Sequence, residues 1–125
     1  MSFAITKRFA FSASHQLEAV GPDHPCARLH GHNYEVEVVA EAPDLDERGF
    51  VVDYFELDPV RDYLADTLDH RHLNDVISGE PSAERIAWWV FEWCKANLPV
   101  EVARQVAAVR VSETPRTWAE YRPHS

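Results

Sequence analysis

The chain has 125 residues, a length that suits one domain with a modest hydrophobic core, and we expect a single domain over residues 1–125. Hydrophobic residues make up 46% of the sequence, which excludes a disordered chain, and no apolar run approaches the roughly 20 residues that span a bilayer. The first residues lack the apolar core of a signal peptide, so we expect a cytoplasmic protein with no membrane partner. The net charge of −9 argues against a nucleic-acid partner, although it permits one small basic pocket for a phosphorylated ligand.

Alternating apolar and polar residues predict two strands at the beginning of the chain. In the first strand the odd-numbered residues from Phe3 to Ala13 are mostly apolar, and His15 continues that face. The second strand begins at His30 and carries apolar side chains on the histidine face and glutamates on the other. This pattern is typical of half-buried antiparallel strands.

Two helices and two further strands follow. Asp58 and Pro59 form an N-cap and first-turn pair, and apolar residues then recur at spacing four (Val60, Leu64 and Leu68). A second helix opens between residues 81 and 84 and closes before Leu98, burying Ile86, Val90, Phe91 and Cys94. Alternation returns over residues 106–113 and 117–121, which gives the order ββααββ.

Three histidines are predicted to converge where the first two strands meet. His30 and His32 point to one face of a strand because they are two residues apart, and His15 ends the matching face of the first strand. Three neutral imidazoles with an open fourth position are typical of catalytic zinc sites, since structural zinc is closed by four protein ligands. The alternatives are a non-catalytic metal site, or one core histidine with the others lining a turn.

The two cysteines lie in different contexts. Cys94 falls in an apolar helical stretch and is interpreted as a small core residue. Cys26 lies in a turn-rich loop directly before the histidine pair, where a nearby cation would favour its thiolate. Cys26 is therefore a candidate reactive thiol, with an inert loop cysteine or a fourth zinc ligand as the alternatives.

Two carboxylates are further candidates for the site. Asp69 is adjacent to His70 and can orient its imidazole, although such a pair is also common at a solvated helix end. Glu113 continues the apolar face of its strand and needs hydrogen-bond donors there. A ligand with two adjacent N–H groups, such as the aminopyrimidinone edge of a pterin or guanine, would supply them, and so would Arg110 or Arg116.

Taken together, the motifs resemble the 6-pyruvoyl-tetrahydropterin synthase family, and most closely its bacterial carboxytetrahydropterin branch in queuosine biosynthesis. They occur in the family's order between about residues 5 and 121: Phe-x-Phe-x-Ala-x-His, Cys-x-x-x-His-Gly-His-Asn-Tyr, Gly-x-Val-Val-Asp-Tyr, Leu-Asp-His, Pro-Ser-Ala-Glu and Ser-Glu-Thr. The resemblance implies an α+β tunnelling fold: a four-stranded antiparallel sheet with two helices on one face. It also implies that subunits form an oligomeric barrel, a homo-oligomer commonly built as a dimer of trimers, that is, a hexamer.

The resemblance also implies roles for the site residues, with a zinc ion as cofactor. The zinc ligands fall on His15, His30 and His32. The catalytic group comprises Cys26 with Asp69 and His70, and the pterin anchor falls on Glu113.

The implied substrate is 7,8-dihydroneopterin triphosphate. The products would be 6-carboxy-5,6,7,8-tetrahydropterin, acetaldehyde and triphosphate. Zinc would act as a Lewis acid, Cys26 as a general base, and His70 would exchange protons on the other side. Lys7, Arg28 and Arg71 are candidates for holding the triphosphate.

The spacing of three residues between Cys26 and His30 resembles the carboxytetrahydropterin type, because the animal pyruvoyl type has a longer gap. Ala83 departs from the family, which often has a hydroxyl residue there, so a hydrogen bond to the pterin would be lost or moved to Ser82. Two alternatives stay open. One is a 6-pyruvoyl-tetrahydropterin synthase that only eliminates triphosphate, and the other is a non-catalytic scaffold that binds zinc and a pterin.

Overall fold

The computed structural model of the protein describes residues 2–124, which form five strands and three α-helices. The strands are β1 (Phe3–His15), β2 (His30–Ala42), β3 (Arg71–His72), β4 (Val106–Thr114) and β5 (Thr117–Tyr121). The helices are α1 (Pro59–Thr67), α2 (Ala83–Asn97) and α3 (Val100–Gln105). Short 3₁₀ turns cover Pro25–Ala27, Tyr54–Leu57 and Leu73–Asp75.

The strands form one sheet in the order β3-β1-β2-β4-β5. The pairs β1–β2, β2–β4 and β4–β5 are antiparallel, which confirms the four predicted strands and the α+β class. β3 is an addition: it has two residues and lies parallel to the end of β1. So short a strand shows no alternation in the sequence. The six-residue α3 is a second addition, placed between Pro99 and β4.

The β1–β2 hairpin fixes the register of the sheet. Phe11 lies opposite Tyr34, and their rings stack with centroids 4.8 Å apart. Towards the end of the hairpin Ala13 lies opposite His32, and His15 lies opposite His30. Because one face of both strands is buried, a shift of one residue would turn that apolar face to solvent.

The helices cover the apolar face of the sheet. α1 packs against β1 and α2 packs against β4 and β5, and both contribute to one hydrophobic core. Asp58 precedes α1 as predicted, but its carboxylate accepts a hydrogen bond from Lys7 and makes no cap hydrogen bond. Ser82 caps α2 by accepting from the Arg85 amide at 3.2 Å. No helix within residues 2–124 has the length and apolar character needed to cross a membrane.

Candidate active site

The three predicted histidines meet at the end of the β1–β2 hairpin. One candidate ligand nitrogen from each ring lies within 4.8 Å of the others. His15 is buried, and His30 and His32 are half-buried. The ring planes cross at 71° to 87°, so the three side chains surround one point from different directions. The alternation of side chains between the two faces of β1 and β2 is therefore sufficient to bring these imidazoles together.

Backbone carbonyl groups fix the protonation of two of these rings. Nδ1 of His15 lies 2.8 Å from the carbonyl oxygen of Pro81, and Nδ1 of His30 lies 2.6 Å from that of Arg28. Because a carbonyl oxygen can only accept, both Nδ1 atoms carry a proton, and in the neutral form of each ring the Nε2 atom presents a lone pair. The two Nε2 atoms are 2.8 Å apart. Two lone pairs repel at that distance, so the arrangement fits a bound cation.

The third imidazole is also in the form that binds metals. Burial lowers the pKa of His32 below its usual 6.5, and although Glu113 opposes this shift, His15 and His30 reinforce it. His32 is therefore neutral at pH 7. Three neutral imidazoles are a donor set that suits zinc. The hydroxyl of Tyr34 lies 3.2 Å from Nδ1 of His15, and burial raises the pKa of this tyrosine well above its usual range.

Glu113 points at the histidine group from β4. Its Oε2 lies 3.7 Å from Nε2 of both His15 and His32. The pairing of β4 with β5 shifts register between Val111 and Thr114, the segment that carries this residue. Bulges of this kind redirect side chains.

Oε2 of Glu113 is buried and has no hydrogen-bond partner among the described residues. Arg110 instead pairs with Glu37 at 3.4 Å and Glu120 at 2.8 Å. Arg116 forms no ion pair with Glu113 within residues 2–124. A buried carboxylate oxygen without a donor is costly, so this position fits a ligand that supplies N–H groups.

Asp69 and His70 form an oriented pair at the edge of β1. Oδ2 of Asp69 lies 3.0 Å from Nδ1 of His70, and Oδ1 accepts from the Ser12 amide at 2.9 Å. The Ser12 amide, followed by His70, holds the pKa of Asp69 below its usual 3.8. His70 has φ of +59° and donates its amide to the Ser12 carbonyl at 2.6 Å, while its side chain is 82% exposed. The pair is thus fixed to the sheet and presents an accessible imidazole.

Two cavities meet beside the histidine group. One, of about 690 Å³, is lined by Glu113, and the other, of about 510 Å³, is lined by His70. Gly31, His32 and Asn33 line both cavities. The candidate anchor Glu113 and the candidate base His70 therefore line neighbouring cavities that share the candidate metal ligand His32.

Cys26 is not brought into this group. It is half-buried in the 3₁₀ turn of the loop between β1 and β2, and it lines neither of the two cavities. Its carbonyl accepts from the Leu17 amide at 2.8 Å, and its amide donates to Nδ1 of His24 at 3.0 Å. The first of these contacts ties the loop to the segment that directly follows β1, and the second lies within the loop. Cys94 is fully buried, as predicted, and burial raises its pKa to about 12.

Comparison with known proteins identifies the class. A model of the family described as 6-pyruvoyl tetrahydropterin synthase matches residues 4–124. The solved 6-pyruvoyl tetrahydropterin synthase of Caenorhabditis elegans superposes with a TM-score of 0.84, at 24% identity over 99% of this chain and 97% of that one. The tunnelling fold expected from the sequence is thereby confirmed.

Two relatives are named for reactions of pterins. The dihydroneopterin monophosphate aldolase of Pyrococcus furiosus is 35% identical over 82% of this chain and 83% of that protein. The 6-carboxy-5,6,7,8-tetrahydropterin synthase of Bacillus subtilis is 30% identical over 98% of this chain and 86% of that protein. This chain belongs to the 6-pyruvoyl tetrahydropterin synthase family, and its function lies in pterin chemistry.

Proposed function

We propose that this protein is a zinc-dependent lyase that converts 7,8-dihydroneopterin triphosphate and water to 6-carboxy-5,6,7,8-tetrahydropterin, acetaldehyde and triphosphate, a step of queuosine biosynthesis. The observation that carries the proposal is the position of three imidazoles beside the Glu113 carboxylate oxygen that has no hydrogen-bond donor. The first group suits a metal, and the second suits the N–H edge of a pterin. The similarity to the Bacillus subtilis synthase supports this choice of reaction.

His15, His30 and His32 would hold the zinc ion, and the 2.8 Å separation of two Nε2 lone pairs supports this assignment. When bound, zinc supplies Lewis acidity that polarises the side-chain oxygens of the substrate. The carbonyl oxygens of Pro81 and Arg28 accept from Nδ1 of two of the rings, which orients these rings with Nε2 towards the ion.

The other site residues would bind the substrate and move protons. Glu113 would accept two N–H hydrogen bonds from the pterin, which fixes the side chain of the substrate beside His32. Asp69 holds Nδ1 of His70, so the exposed Nε2 of His70 would exchange a proton with the substrate. Cys26 would act as a general base on the opposite side, which requires its loop to deliver the thiol to the substrate.

The test is product analysis with purified, zinc-loaded protein and 7,8-dihydroneopterin triphosphate. Mass spectrometry should detect 6-carboxytetrahydropterin, and alcohol dehydrogenase with NADH should report one equivalent of acetaldehyde. Release of triphosphate without acetaldehyde would instead identify a 6-pyruvoyl-tetrahydropterin synthase. Binding of zinc and of a pterin without turnover would identify the non-catalytic scaffold.

A second candidate activity follows from the similarity to the Pyrococcus furiosus aldolase. On dihydroneopterin monophosphate, a base that takes the second side-chain hydroxyl proton would break the bond between the first two side-chain carbons. Protonation of the first carbon then leaves a 6-hydroxymethyl-dihydropterin and a two-carbon phosphorylated aldehyde. Parallel incubations with the monophosphate and the triphosphate separate this aldolase from the carboxytetrahydropterin synthase.

We also propose that the chain assembles into the homo-oligomeric barrel of its family. β5 lies at one edge of the sheet, and most of β1 lies open at the other edge, since β3 pairs only with Ala13 and Ser14. Open edges pair readily with other strands. Light scattering coupled to gel filtration should give a mass six times that of one chain for the expected hexamer, and a monomer mass would contradict it.

A further inference from the structure

Two side chains from a distant segment hold the start of the β1–β2 loop, residues 16–29, which carries Cys26. The first of them is Asn74. Its Oδ1 accepts from the Gln16 amide at 2.9 Å, and its Nδ2 donates to the Gln16 carbonyl at 2.7 Å. One side chain thus satisfies both backbone polar groups of Gln16, as a neighbouring strand would.

Glu80 holds the next residues of the same loop. Its Oε2 accepts from the Glu18 amide at 3.1 Å, and its Oε1 accepts from the Ala19 amide at 2.7 Å. Hydrogen bonds from backbone amides to a carboxylate are stronger than those between neutral groups. Together, Asn74 and Glu80 form a clamp on residues 16–19.

Cys26 is attached to the part of the loop that lies inside this clamp. The Leu17 amide donates to the Cys26 carbonyl at 2.8 Å, and Leu17 lies between the residues that the two side chains hold. Among the described residues this is the one hydrogen bond that joins Cys26 to the chain following β1, since the Cys26 amide bonds to His24 within the loop. The clamp therefore determines where Cys26 lies relative to His15, the candidate metal ligand two residues before Leu17.

The middle of the loop has no comparable attachment. Over residues 20–25 the backbone hydrogen bonds are local, such as that from the His24 amide to the Gly21 carbonyl at 3.2 Å. A segment with few long-range contacts opens at little cost in free energy. Cys26 is thus tied to β2 through the four residues that precede His30, and to β1 through Leu17 and the clamp.

We propose that Asn74 and Glu80 are positioning residues for Cys26, because they fix the place from which its thiol reaches the substrate. This inference rests on the proposed function, in which Cys26 is the general base. Neither clamp residue lines the two cavities beside the histidine group, so both act on the reaction through the loop. A misplacement of about 1 Å can lower a rate about 100-fold.

The first test needs no substrate: it is the rate at which iodoacetamide alkylates Cys26, followed by mass spectrometry of the peptide. Cys26 is half-buried, whereas Cys94 is fully buried and should not react. N74A and E80A should raise the rate about fivefold or more, the equivalent of about 1 kcal/mol of lost hydrogen bonding. E80Q keeps one acceptor oxygen and should raise it less. The control is E92A, because Glu92 is an exposed glutamate of α2 that bonds to no residue of the loop within residues 2–124.

The second test is steady-state kinetics of the zinc-loaded protein with 7,8-dihydroneopterin triphosphate. N74A and E80A should lower kcat about tenfold or more and change KM little, because the base is displaced while the metal and pterin groups stay in place. Zinc content should equal that of wild type. Since the two substitutions release different residues of the loop, either variant that keeps its folding transition decides the test.

Alkylation of N74A and E80A at the rate of wild type and E92A would overturn the clamp, even if the wild type converts the substrate. Faster alkylation with unchanged kcat would show that the clamp has no part in the reaction. Loss of zinc from both variants would also contradict the proposal, because the clamp would then act on His15. If the clamp variants are alkylated faster but wild type converts no phosphorylated pterin, the clamp on Cys26 stands and the proposed function fails.

Discussion

Removal of one histidine should separate metal binding from folding. The Nε2 atoms of His15 and His30 are 2.8 Å apart, so two neutral rings without a metal would hold their Nε2 lone pairs against each other. A ligand that binds only the folded state stabilises it by about 4 kcal/mol at a concentration of 1,000 Kd. For a domain of this size about 1 kcal/mol shifts Tm by roughly 4 °C, so zinc should raise Tm by about 15 °C.

The assay is differential scanning fluorimetry of chelator-treated protein with and without added zinc, combined with elemental analysis of the protein as purified. Wild type should contain about one zinc per chain and show the full rise in Tm. H30A should lose the zinc and most of the rise. H124A is the matched control, because His124 is an exposed histidine and should behave as wild type.

Two results would refute this reasoning. One is full zinc content in H30A, which would place the metal elsewhere. The other is a Tm of the chelator-treated wild type that does not rise when zinc is added. The three histidines would then not bind zinc in the folded state.

Four further substitutions address the remaining parts of the site. C26A should abolish turnover with zinc and Tm unchanged, whereas C94A should cost about 1 kcal/mol or somewhat more of stability and keep activity; loss of zinc in C26A would make the thiol a ligand. E113Q places an amide donor against the pterin N–H groups and should weaken pterin binding by about 2 to 4 kcal/mol, measured by calorimetry with biopterin and with zinc content as the control. G31V should keep the fold and the zinc, since a Cβ at Gly31 meets only the Ala13 carbonyl at 3.5 Å. It should weaken pterin binding, because Gly31 lines both cavities where they adjoin. Unchanged pterin affinity would show that the ligand does not pass Gly31. The pKa of Asp69 is lower in the folded than in the unfolded state, so its ionised carboxylate stabilises the fold at pH values above its unfolded pKa, and this stabilisation is lost as the pH falls through its folded pKa. In D69N the free energy of unfolding should therefore fall less steeply below about pH 4 than in wild type. The same pH dependence of stability in both proteins would contradict this role.

The histidine group and the position of Glu113 could be predicted because the side chains of a strand alternate between its two faces with a period of two residues. His30 and His32 must share a face, and the apolar parity of β1 places His15 on the matching face. Glu113 was placed in the same way, because it shares its face of β4 with the apolar residues two and four positions before it. Those inferences needed no knowledge of loops or of the helices.

Other parts of the site leave no signal of this kind. The carbonyl oxygens of Pro81 and Arg28 orient two imidazoles, but every residue has a carbonyl group and none is marked by its side chain. β3 has only two residues, so the pairing that brings His72 to Ser14 is invisible to a periodicity argument. The placement of Cys26 depends on loop geometry, which composition predicts only as a turn.

The relative positions of the three imidazoles depend on the register of the whole β1–β2 hairpin. A shift of β2 by one residue relative to β1 would expose Tyr34, Val36, Val38 and Ala40, all of which are fully buried. Exposure of the three larger side chains alone costs about 1.5 to 3 kcal/mol each, or roughly 5 to 9 kcal/mol together. That range is comparable with the 5 to 15 kcal/mol by which typical domains are stable. The apolar contacts that keep the domain folded therefore also keep the three imidazole nitrogens within reach of one ion.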